Sequence, residues 1–596
     1  SIPKDDNRNT GKLYDQVNHI VENFEYEGDI YLAGNPVIDA EIAKSMQRDN
    51  MIFFPFVMLV IAFILYLNFK RFSGVYVPLI IAGITTIWTL GVMVALGVEQ
   101  NIVTTVLPVF LLTVAVADAI HFYNYFLHTD KNNQTKEERL FSTFTDLIRP
   151  LLLTSLTTMI GFLALAWTDI IFIREFGLLM ALGVIIALVV TILIAPIIIP
   201  DNEESFSKTH RIDLYLNRFV GYVLTRPVKT IFCMIIVAAV STYSLQYLTF
   251  DQDNIKSFNE GTTLRSNNTA ILEHFDGTIP VDIWIDSGKN GGLYDPEVIK
   301  EIEKIEHYLE QKEGIGFVLT PVDFLKRMYD LLTGEGHILP DDYNGQLIAQ
   351  EILVYENEQS QDIKNVIDDQ HRHARLTVLG VSDAASFWGP IFEGIEGVVS
   401  PETKIEISGY GKVIFSNVDE VIKTNISSTV LALALIALVM IVLFKSFTTG
   451  IIGIVPLILT VVMNYAVMSA LGIFVDVGTT IIASIGFGIG IDYSIHYLAA
   501  IERESKEASV EIKTAILNAT RTVGVPILIN SMTLAAGFLV LTVSGFKVIQ
   551  FLGLFISMTM VISAINTLIF IPVLCLLFLR VSTSKQQQPE FISSSE

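Results

Sequence analysis

Charged residues are scarce in this sequence and make up only 17% of its 596 positions, whereas a soluble domain carries roughly 25%. Hydrophobic residues make up 51%, and the mean hydropathy is +0.53. Eleven apolar runs recur along the chain, each long enough to cross a hydrocarbon core about 30 Å thick. The composition predicts a polytopic α-helical membrane protein. We place the spans at 51–69, 75–97, 102–126, 147–168, 172–199, 229–248, 427–446, 450–472, 478–501, 523–545 and 550–580.

Cysteine is almost absent as well. Both cysteines, Cys233 and Cys575, fall in predicted spans, so neither a disulfide framework nor a cysteine metal site is expected. His371 and His373 lack partners at metal-ligand spacing. No nucleophile–base pattern indicates an enzyme, and no basic patch indicates nucleic-acid binding. We therefore predict no catalytic residues, no metal and no cofactor.

Positive charge is under-represented, and the formal net charge is −23. Residues 249–424 hold about thirty acidic residues against about fourteen basic ones, which is typical of a water-facing surface. The basic short loops, including those with Lys70, Arg149 and Lys445, fall on one side when the spans are threaded in order. Because such loops face the cytoplasm, we expect the 249–426 domain to lie outside it.

The predicted outer domain mixes strand and helix patterns. Segments 280–286, 375–381 and 403–409 have strand character. Segment 295–312 has apolar residues at helical spacing, and Asp295 followed by a proline suits a helix start. This mixture predicts an α+β domain.

An internal repeat runs through the sequence. Residues after position 33 match residues after 408, at an offset of 375 that becomes 376 beyond the loop near 130. The matched pairs include Lys70/Lys445, Gly97/Gly472, His121/His496, Pro150/Pro526, Gly177/Gly553 and Pro196/Pro572. Both copies run in the same direction, which predicts parallel repeats related by an axis along the membrane normal.

The repeat also divides the chain. The span at 229–248 and most of the domain after it have no counterpart in the first copy. We therefore expect the chain to lack a first span and most of a first outer domain; a protein with eleven native spans is the alternative. The predicted segments are a remnant of the first extracytoplasmic domain (1–50), a five-span, sterol-sensing-like bundle (51–199), a cytoplasmic amphipathic connector (200–228), a single span (229–248), a second extracytoplasmic α+β domain (249–426), a second five-span bundle (427–580) and a cytoplasmic tail (581–596).

Acidic and histidine side chains interrupt two of the apolar runs. "VAVADAIHF" (114–122) contains Asp118 and His121, and "GIGIDYSIHY" (488–497) contains Asp492, Tyr493 and His496. Ionisable residues within spans are costly and mark functional sites. Each Asp shares a helix face with the His three or four positions later. We predict that these five residues form a proton relay; the alternatives are carboxyls that only join helices and histidines that anchor at the interface.

Other polar and small residues are candidates for supporting roles. The hydroxyl and amide residues that could complete the relay are Thr154, Ser155, Thr157, Thr158, Asn530, Ser531 and Thr533, although such side chains often bond to their own helix. Gly486, Gly488 and Gly490 are expected to allow close helix packing.

These motifs resemble the resistance-nodulation-division (RND) superfamily, whose members have two six-span halves with large outer domains. Within it the sequence is similar to the lipid-type branch: mycobacterial large membrane proteins, hopanoid exporters and Patched-like proteins. The first half departs from the branch's paired Asp-Tyr pattern, because Ala117 and Asp118 align with Asp492 and Tyr493. The lysine of the drug-efflux branch is missing from the tenth family span.

The resemblance implies an exporter in the bacterial inner membrane, driven by the proton gradient and acting on lipidic or amphiphilic molecules. Its expected partners are membrane lipids or hydrophobic small molecules, with a homo-oligomer or a periplasmic protein as further options. The alternative function is a non-transporting, sterol-sensing-like regulator or a protein-translocation accessory built on the same module.

Overall fold

The computed structural model describes residues 7–24, 26, 28–128, 135–201, 211–275, 277–334, 336, 339–340, 343–357, 362–401, 403–507 and 511–579. The predicted tail, part of the predicted connector (202–210) and the first six residues lie outside this set. Helices dominate, in the order α1 (Asn7–Glu22), α2 (Asn35–Phe69), α3 (Ser73–Ala95), α4 (Leu107–His128), α5 (Lys136–Leu163), α6 (Ile171–Ile198), α7 (Arg211–Leu224), α8 (Pro227–Ser244), α9 (Thr263–Leu272), α10 (Pro296–Glu310), α11 (Pro321–Thr333), α12 (Gly345–Asn357), α13 (Ala385–Val398), α14 (Tyr410–Phe444), α15 (Phe447–Ala470), α16 (Ile482–Glu507), α17 (Ile512–Leu539) and α18 (Lys547–Phe578). The strands are β1 (Ile279–Asp286), β2 (Ile315–Leu319), β3 (His373–Gly380) and β4 (Lys404–Gly409).

Within the described residues, eleven helices are long and apolar enough to cross a membrane: α2 to α6, α8 and α14 to α18. This number confirms the eleven predicted spans. Two of them begin much earlier than predicted, α2 at Asn35 and α14 at Tyr410. The first turns of both helices are rich in polar residues, so no apolar run marks where the helix begins.

The repeat is visible in the backbone. Left-handed conformations recur at equivalent positions, with φ values of 106° and 100° at Gly34 and Gly409, and 51° and 47° at Lys70 and Lys445. A positive φ is uncommon for a residue other than glycine. Both lysines lie directly after a long helix, α2 or α14, and close it with a left-handed turn. The two halves therefore share a detailed backbone path.

Close packing repeats in the same way. A Cβ at Gly177 would lie 2.6 Å from the carbonyl oxygen of Phe162, and a Cβ at Gly553 would lie 2.6 Å from that of Phe538. In both halves the last helix of the bundle therefore presses directly on the backbone of the helix before it. Together with the eleven spans, these matches establish a helical membrane protein with a two-fold internal repeat.

A four-stranded antiparallel sheet with strand order β2-β3-β1-β4 forms the sheet domain, residues 249–409. Strands β1, β3 and β4 match the three predicted strands. Helix α10 matches the predicted helix, and the Asp295 carboxylate accepts a hydrogen bond from the Glu297 amide at 3.2 Å to cap it. Strand β2 has only five, partly exposed residues, so its sequence carried too little alternation to be noticed.

The sheet domain begins with a strap, residues 249–259, which follows α8 and crosses the ends of other spans. It pairs with the α15–α16 loop, where the Val475 amide donates to the Thr249 carbonyl at 2.9 Å. It also pairs with the α17–α18 loop and the start of α18, where the Asn259 amide donates to the Gly545 carbonyl at 3.4 Å and the Lys547 amide donates to the Ser257 carbonyl at 2.7 Å. The sheet domain is therefore tied to two loops of the second bundle. We call this side of the bundle the domain end and the opposite side the far end.

A buried carboxyl lies beside the strap. Asp383 is fully buried, and one of its oxygens accepts a hydrogen bond from the Asn254 amide at 3.0 Å. Burial, together with the neighbouring Asp253 carboxyl, raises the pKa of Asp383 to about 8. Asp253 itself pairs with Lys256 at 3.0 Å. The folded domain therefore holds a proton on Asp383 at neutral pH that the unfolded chain releases.

This proton gives a pH dependence with a definite sign. The folded-state pKa of Asp383 exceeds the ordinary value of 3.8, so the folded state binds more protons between these values and stability falls as the pH rises through them. Asp383→Asn should flatten this dependence and remove about 2 kcal/mol of the fall in stability between pH 6 and pH 8, since one pKa unit corresponds to about 1.4 kcal/mol. Hydrogen exchange of β3 at pH 6 and pH 8, corrected for intrinsic rates, measures it. An unchanged pH dependence in the variant would contradict the assignment.

Candidate functional site

Two helices at the centre of the bundle are almost completely buried by the helices around them. The most apolar stretch of α16 is entirely buried, and 89% of the corresponding stretch of α4 is buried. Because other helices rather than lipid surround them, α4 and α16 can carry polar side chains that a lipid-facing helix could not. Asp118 and Asp492 lie on these two helices and are 6% and 7% exposed.

Both carboxyls contact the same neighbouring helix, α5. Ser155 donates a hydrogen bond to Asp118 Oδ2 at 3.4 Å. The Thr158 hydroxyl lies one turn further along, 2.9 Å from the Gly488 carbonyl oxygen and 3.5 Å from Asp492 Oδ1. The two carboxyls are also close enough to interact electrostatically. Helix α5 thus lies against both acidic groups.

These carboxyls are weakly bonded for buried groups. An ionised carboxylate can accept about four hydrogen bonds, yet each accepts one side-chain bond here, at the long end of the usual distance range. Carboxyls that only join helices would be expected to have short, multiple bonds, as buried polar groups normally do. Among the described residues, neither carboxyl is therefore held by a short side-chain hydrogen bond.

The site does not follow the two-fold symmetry of the fold. The residues equivalent to Asp492 and Thr158 in the other half are Ala117 and Leu534, which are apolar. Likewise, a Cβ at Gly161 on α5 would lie 2.5 Å from the Gly488 Cα, whereas at the equivalent Gly537 the nearest atom is the Thr113 hydroxyl at 2.9 Å. One interface, α5 with α16, is therefore closer and more polar than its counterpart, α4 with α17.

The two predicted histidines meet directly. The rings of His121 and His496 stack with centroids 4.2 Å apart and an angle of 22° between their planes. The Asn530 amide nitrogen, on α17, lies 3.1 Å from His121 Nε2. This brings α4, α16 and α17 together one turn beyond the carboxyls, towards the far end. The two histidines therefore lie against each other, and His121 also contacts α17.

A cavity of about 920 Å³ opens beside the histidines. It lies between the two halves at the far end, since Phe69 and Phe444, the last residues of α2 and α14, are part of its wall. Its polar lining comes from both halves and includes Asn68, His121, Arg149, His496, Arg503 and Arg521. The cavity thus provides a polar route from the far end of the bundle to the histidine pair.

The Tyr493 hydroxyl turns towards a different helix. Its side chain is buried, and its hydroxyl lies 3.9 Å from Met560 Sδ on α18 rather than at either carboxyl. The structure therefore does not join Tyr493 to the other four predicted relay residues by a hydrogen bond.

The predicted supporting residues divide into two groups. Ser155, Thr158 and Asn530 contact Asp118, Asp492 and His121, respectively, as described above. The hydroxyls of the other four bond to backbone carbonyls of their own helices: Thr154 to Leu151, Thr157 to Leu153 and Thr154, Ser531 to Leu528, and Thr533 to Ile529.

The three glycines of α16 lie at different helix contacts. Gly488 packs against α5 at Gly161, Gly486 packs near Thr559 of α18, and Gly490 packs near Ser563 of the same helix. The Ser563 hydroxyl donates to the Gly490 carbonyl at 3.1 Å. These glycines let α16 approach neighbours on two sides. Among the described residues, no group of three or more His, Cys, Asp or Glu side chains could hold a metal ion.

Comparison with known proteins matches the chain to one family. The profile of the MMPL family covers residues 4–201 and 390–591, one segment in each repeat and more than half of the chain. A relative from Methanocaldococcus jannaschii, named "Putative membrane protein MJ1562", is 24% identical over 291 residues, which are 48% of this chain and 73% of the relative.

Proposed function

This chain belongs to the MMPL family of transporter-like membrane proteins, and on that premise we propose that it exports lipidic or amphiphilic molecules by using the proton gradient across the bacterial inner membrane. One observation carries the proposal above all others. Two weakly bonded carboxyls, Asp118 from the first half and Asp492 from the second, both contact side chains of α5.

Proton binding at these carboxyls supplies the switch. When both are ionised, two negative charges lie close together in a medium of low polarity, where their repulsion is poorly screened. A proton on either group removes the repulsion and changes which arrangement of α4, α5 and α16 is favoured. A charge crossing the membrane potential supplies about 2.3 kcal/mol per 100 mV, which is enough to shift a two-state equilibrium substantially.

The histidine pair and the cavity suit proton release on the cytoplasmic side. The short loops rich in Lys and Arg lie at the far end, so the positive-inside rule assigns that end to the cytoplasm. His121 and His496 stand between the carboxyls and the cavity, and repulsion disfavours charge on both stacked rings at once. A proton leaving Asp118 or Asp492 would therefore pass the pair singly on its way to the cavity.

The remaining roles follow from this arrangement. The sheet domain would face the cell exterior, where it could take up substrate from the outer leaflet or the periplasm. The chain's own residues would bring about transport without a catalytic residue or an organic cofactor. Assembly into a homo-oligomer, or with a periplasmic protein, is compatible with the same cycle.

The proposal can be tested in proteoliposomes that contain the purified protein and a fluorescent lysophospholipid as the probe. Acidifying the outside imposes the gradient on molecules whose sheet domain faces outwards. We expect the probe to pass to external albumin several times faster with the gradient than without it, and a protonophore should remove the difference. Pyranine trapped inside the vesicles should report simultaneous acidification.

Two outcomes would contradict the proposal. Probe release that ignores the gradient, with no proton entry beyond that of protein-free vesicles, would favour the non-transporting regulator. Proton entry without release of this probe, of fluorescent fatty acid or of a labelled sterol would contradict the lipidic substrate class while leaving the proton site in place.

A further inference from the structure

A buried pair of hydroxyls joins two parts of the protein at the domain end. Thr168, in the loop after α5, and Thr424, on α14, have their Oγ1 atoms 2.6 Å apart. Both residues are buried, at 8% and 2% exposure. The Thr168 hydroxyl also accepts a hydrogen bond from the Ile170 amide at 3.2 Å, which holds the loop in position. This contact lies well outside the cluster of carboxyls and histidines.

The same contact exists in the other half with different chemistry. The residues equivalent to Thr168 and Thr424 are Ser544 and Asp49. The Ser544 hydroxyl donates to Asp49 Oδ2, and both residues are buried. The Ser544 oxygen in turn accepts from the Phe546 amide at 3.0 Å, the equivalent of the Ile170 bond. A polar contact has been kept at both places although the side chains differ.

Each contact connects a bundle loop with a helix that leads out of the membrane. Helix α14 follows β4 directly, with only Gly409 marking the junction, so a shift of α14 moves an edge strand of the sheet. The Ser544 loop is bonded on its other side to the strap, where the Asn259 amide reaches the Gly545 carbonyl at 3.4 Å. Both loops therefore lie between the intramembrane helices and the parts of the chain at the domain end.

Helix α5 links these contacts to the carboxyls. It carries Ser155 and Thr158, which contact Asp118 and Asp492, and Thr168 follows its end after one short turn of 3₁₀ helix. Helix α17 has the matching arrangement, with Asn530 at His121 and Ser544 in the following loop. A displacement of either helix at the polar cluster reaches the corresponding hydroxyl through the rest of that helix and the short 3₁₀ turn after it, because helices transmit such displacements as rigid bodies.

We propose that Thr168 with Thr424, and Ser544 with Asp49, are positioning residues that transmit movement of α5 and α17 to the sheet domain and α2. The inference rests on the proposed proton-driven cycle. It adds to that cycle the two contacts through which helix movement passes from the bundle to the sheet domain and to α2. Both contacts are polar and all four residues are buried, so breaking either bond leaves a buried hydroxyl without the acceptor it donates to. The loop and the helix consequently move together.

Hydrogen exchange of the full-length protein in lipid nanodiscs at pH 8 tests this transmission. Asp492→Asn serves as a permanently neutral form of the carboxyl, and the measured quantity is the change in deuterium uptake that it causes in β4 and the first turns of α14. We expect this change to fall at least threefold in Thr168→Val and Thr424→Val backgrounds. Thr424→Ser should preserve it, because it keeps the hydroxyl. Ser544→Ala should reduce the corresponding change in the first turns of α2.

A matched control lies on α5 itself. Thr143 is buried and lies near the start of α5, at the opposite end of the helix from Thr168, so Thr143→Val should leave the response to Asp492→Asn intact. A response that persists at full size in Thr168→Val and Thr424→Val, or that falls equally in Thr143→Val, would overturn the inference.

Proton entry measured with pyranine separates the two proposals: normal entry in the Thr168→Val protein, with the domain response lost, supports transmission at this contact. Absence of the response in the wild-type background overturns the transmission, and absence of proton entry overturns the proton-driven cycle itself.

Discussion

Asp492→Asn is expected to reduce proton-driven release of the lipid probe to the level of protein-free vesicles. The amide has the shape of the carboxyl but cannot bind and release a proton, so the charge-dependent repulsion with Asp118 never forms. Thr158 can still donate to the amide oxygen, and the packing of α16 therefore remains intact. The variant should fold, purify and melt like the wild type while losing gradient-dependent release and vesicle acidification. These readouts separate a lost proton site from a lost fold.

Asp118→Asn should have the same effect on transport, since both carboxyls belong to one electrostatic pair. Lys300→Ala provides the control, because Lys300 lies on α10 of the sheet domain and its ion pair with Glu297 is solvent-exposed. Exposed pairs contribute little to stability. Undiminished release in both Asp variants would rule out the relay, whatever the behaviour of the control.

Gly161→Ala should destabilise the protein by about 1–3 kcal/mol, as overpacking of a tight interior does. The added Cβ would lie 2.5 Å from the Gly488 Cα and 2.9 Å from its nitrogen. These are backbone atoms, so no side chain can rotate out of the way and α5 must move away from α16. The Thr158 hydroxyl would then lose contact with Gly488 and Asp492. A lower unfolding temperature in detergent, together with slower proton-driven release, is the expected result.

Two other glycines supply the comparison. Gly83 on α3 has no heavy atom within 4 Å of a built Cβ, so Gly83→Ala should leave the unfolding temperature unchanged or slightly raised. Gly537→Ala meets the Thr113 hydroxyl, a side-chain atom that can rotate away, and should have an intermediate effect. If Gly161→Ala and Gly83→Ala melted at the same temperature, the close contact of α5 with α16 would be refuted.

Much of the architecture could be predicted because membrane spans and long repeats leave strong sequence signals. Twenty-residue apolar runs are unambiguous by length, and matched glycines and lysines impose matched backbone turns, as Lys70 and Lys445 do. The starts of α2 and α14 were not predictable from hydropathy. The residues there are more polar than those of the membrane span, but the backbone remains helical, so hydropathy marks the span and not the helix. Strand β2 was missed for a related reason: its burial depends on α10 and β3 rather than on alternation within five residues.

The site was predictable in its residue types and only partly in its contacts. Acidic and histidine residues inside apolar runs indicated four members of the cluster. The direction of the Tyr493 side chain depends on how α16 is rotated against α18, which one helix sequence does not determine. The pairing of Thr158 with Asp492 depends likewise on the close approach of Gly161 to Gly488. Spacing along a helix defines its faces, and packing decides what each face meets.

The complete burial of the apolar stretch of α16 also bears on the membrane in which the protein works. Bilayers differ in thickness, and a helix in contact with acyl chains adjusts to them by tilting or by distorting the lipid around it. Helix α16 has other helices on every side of its apolar stretch, so such adjustments fall on the outer ring of spans. The acidic centre is thereby shielded from changes in acyl-chain length.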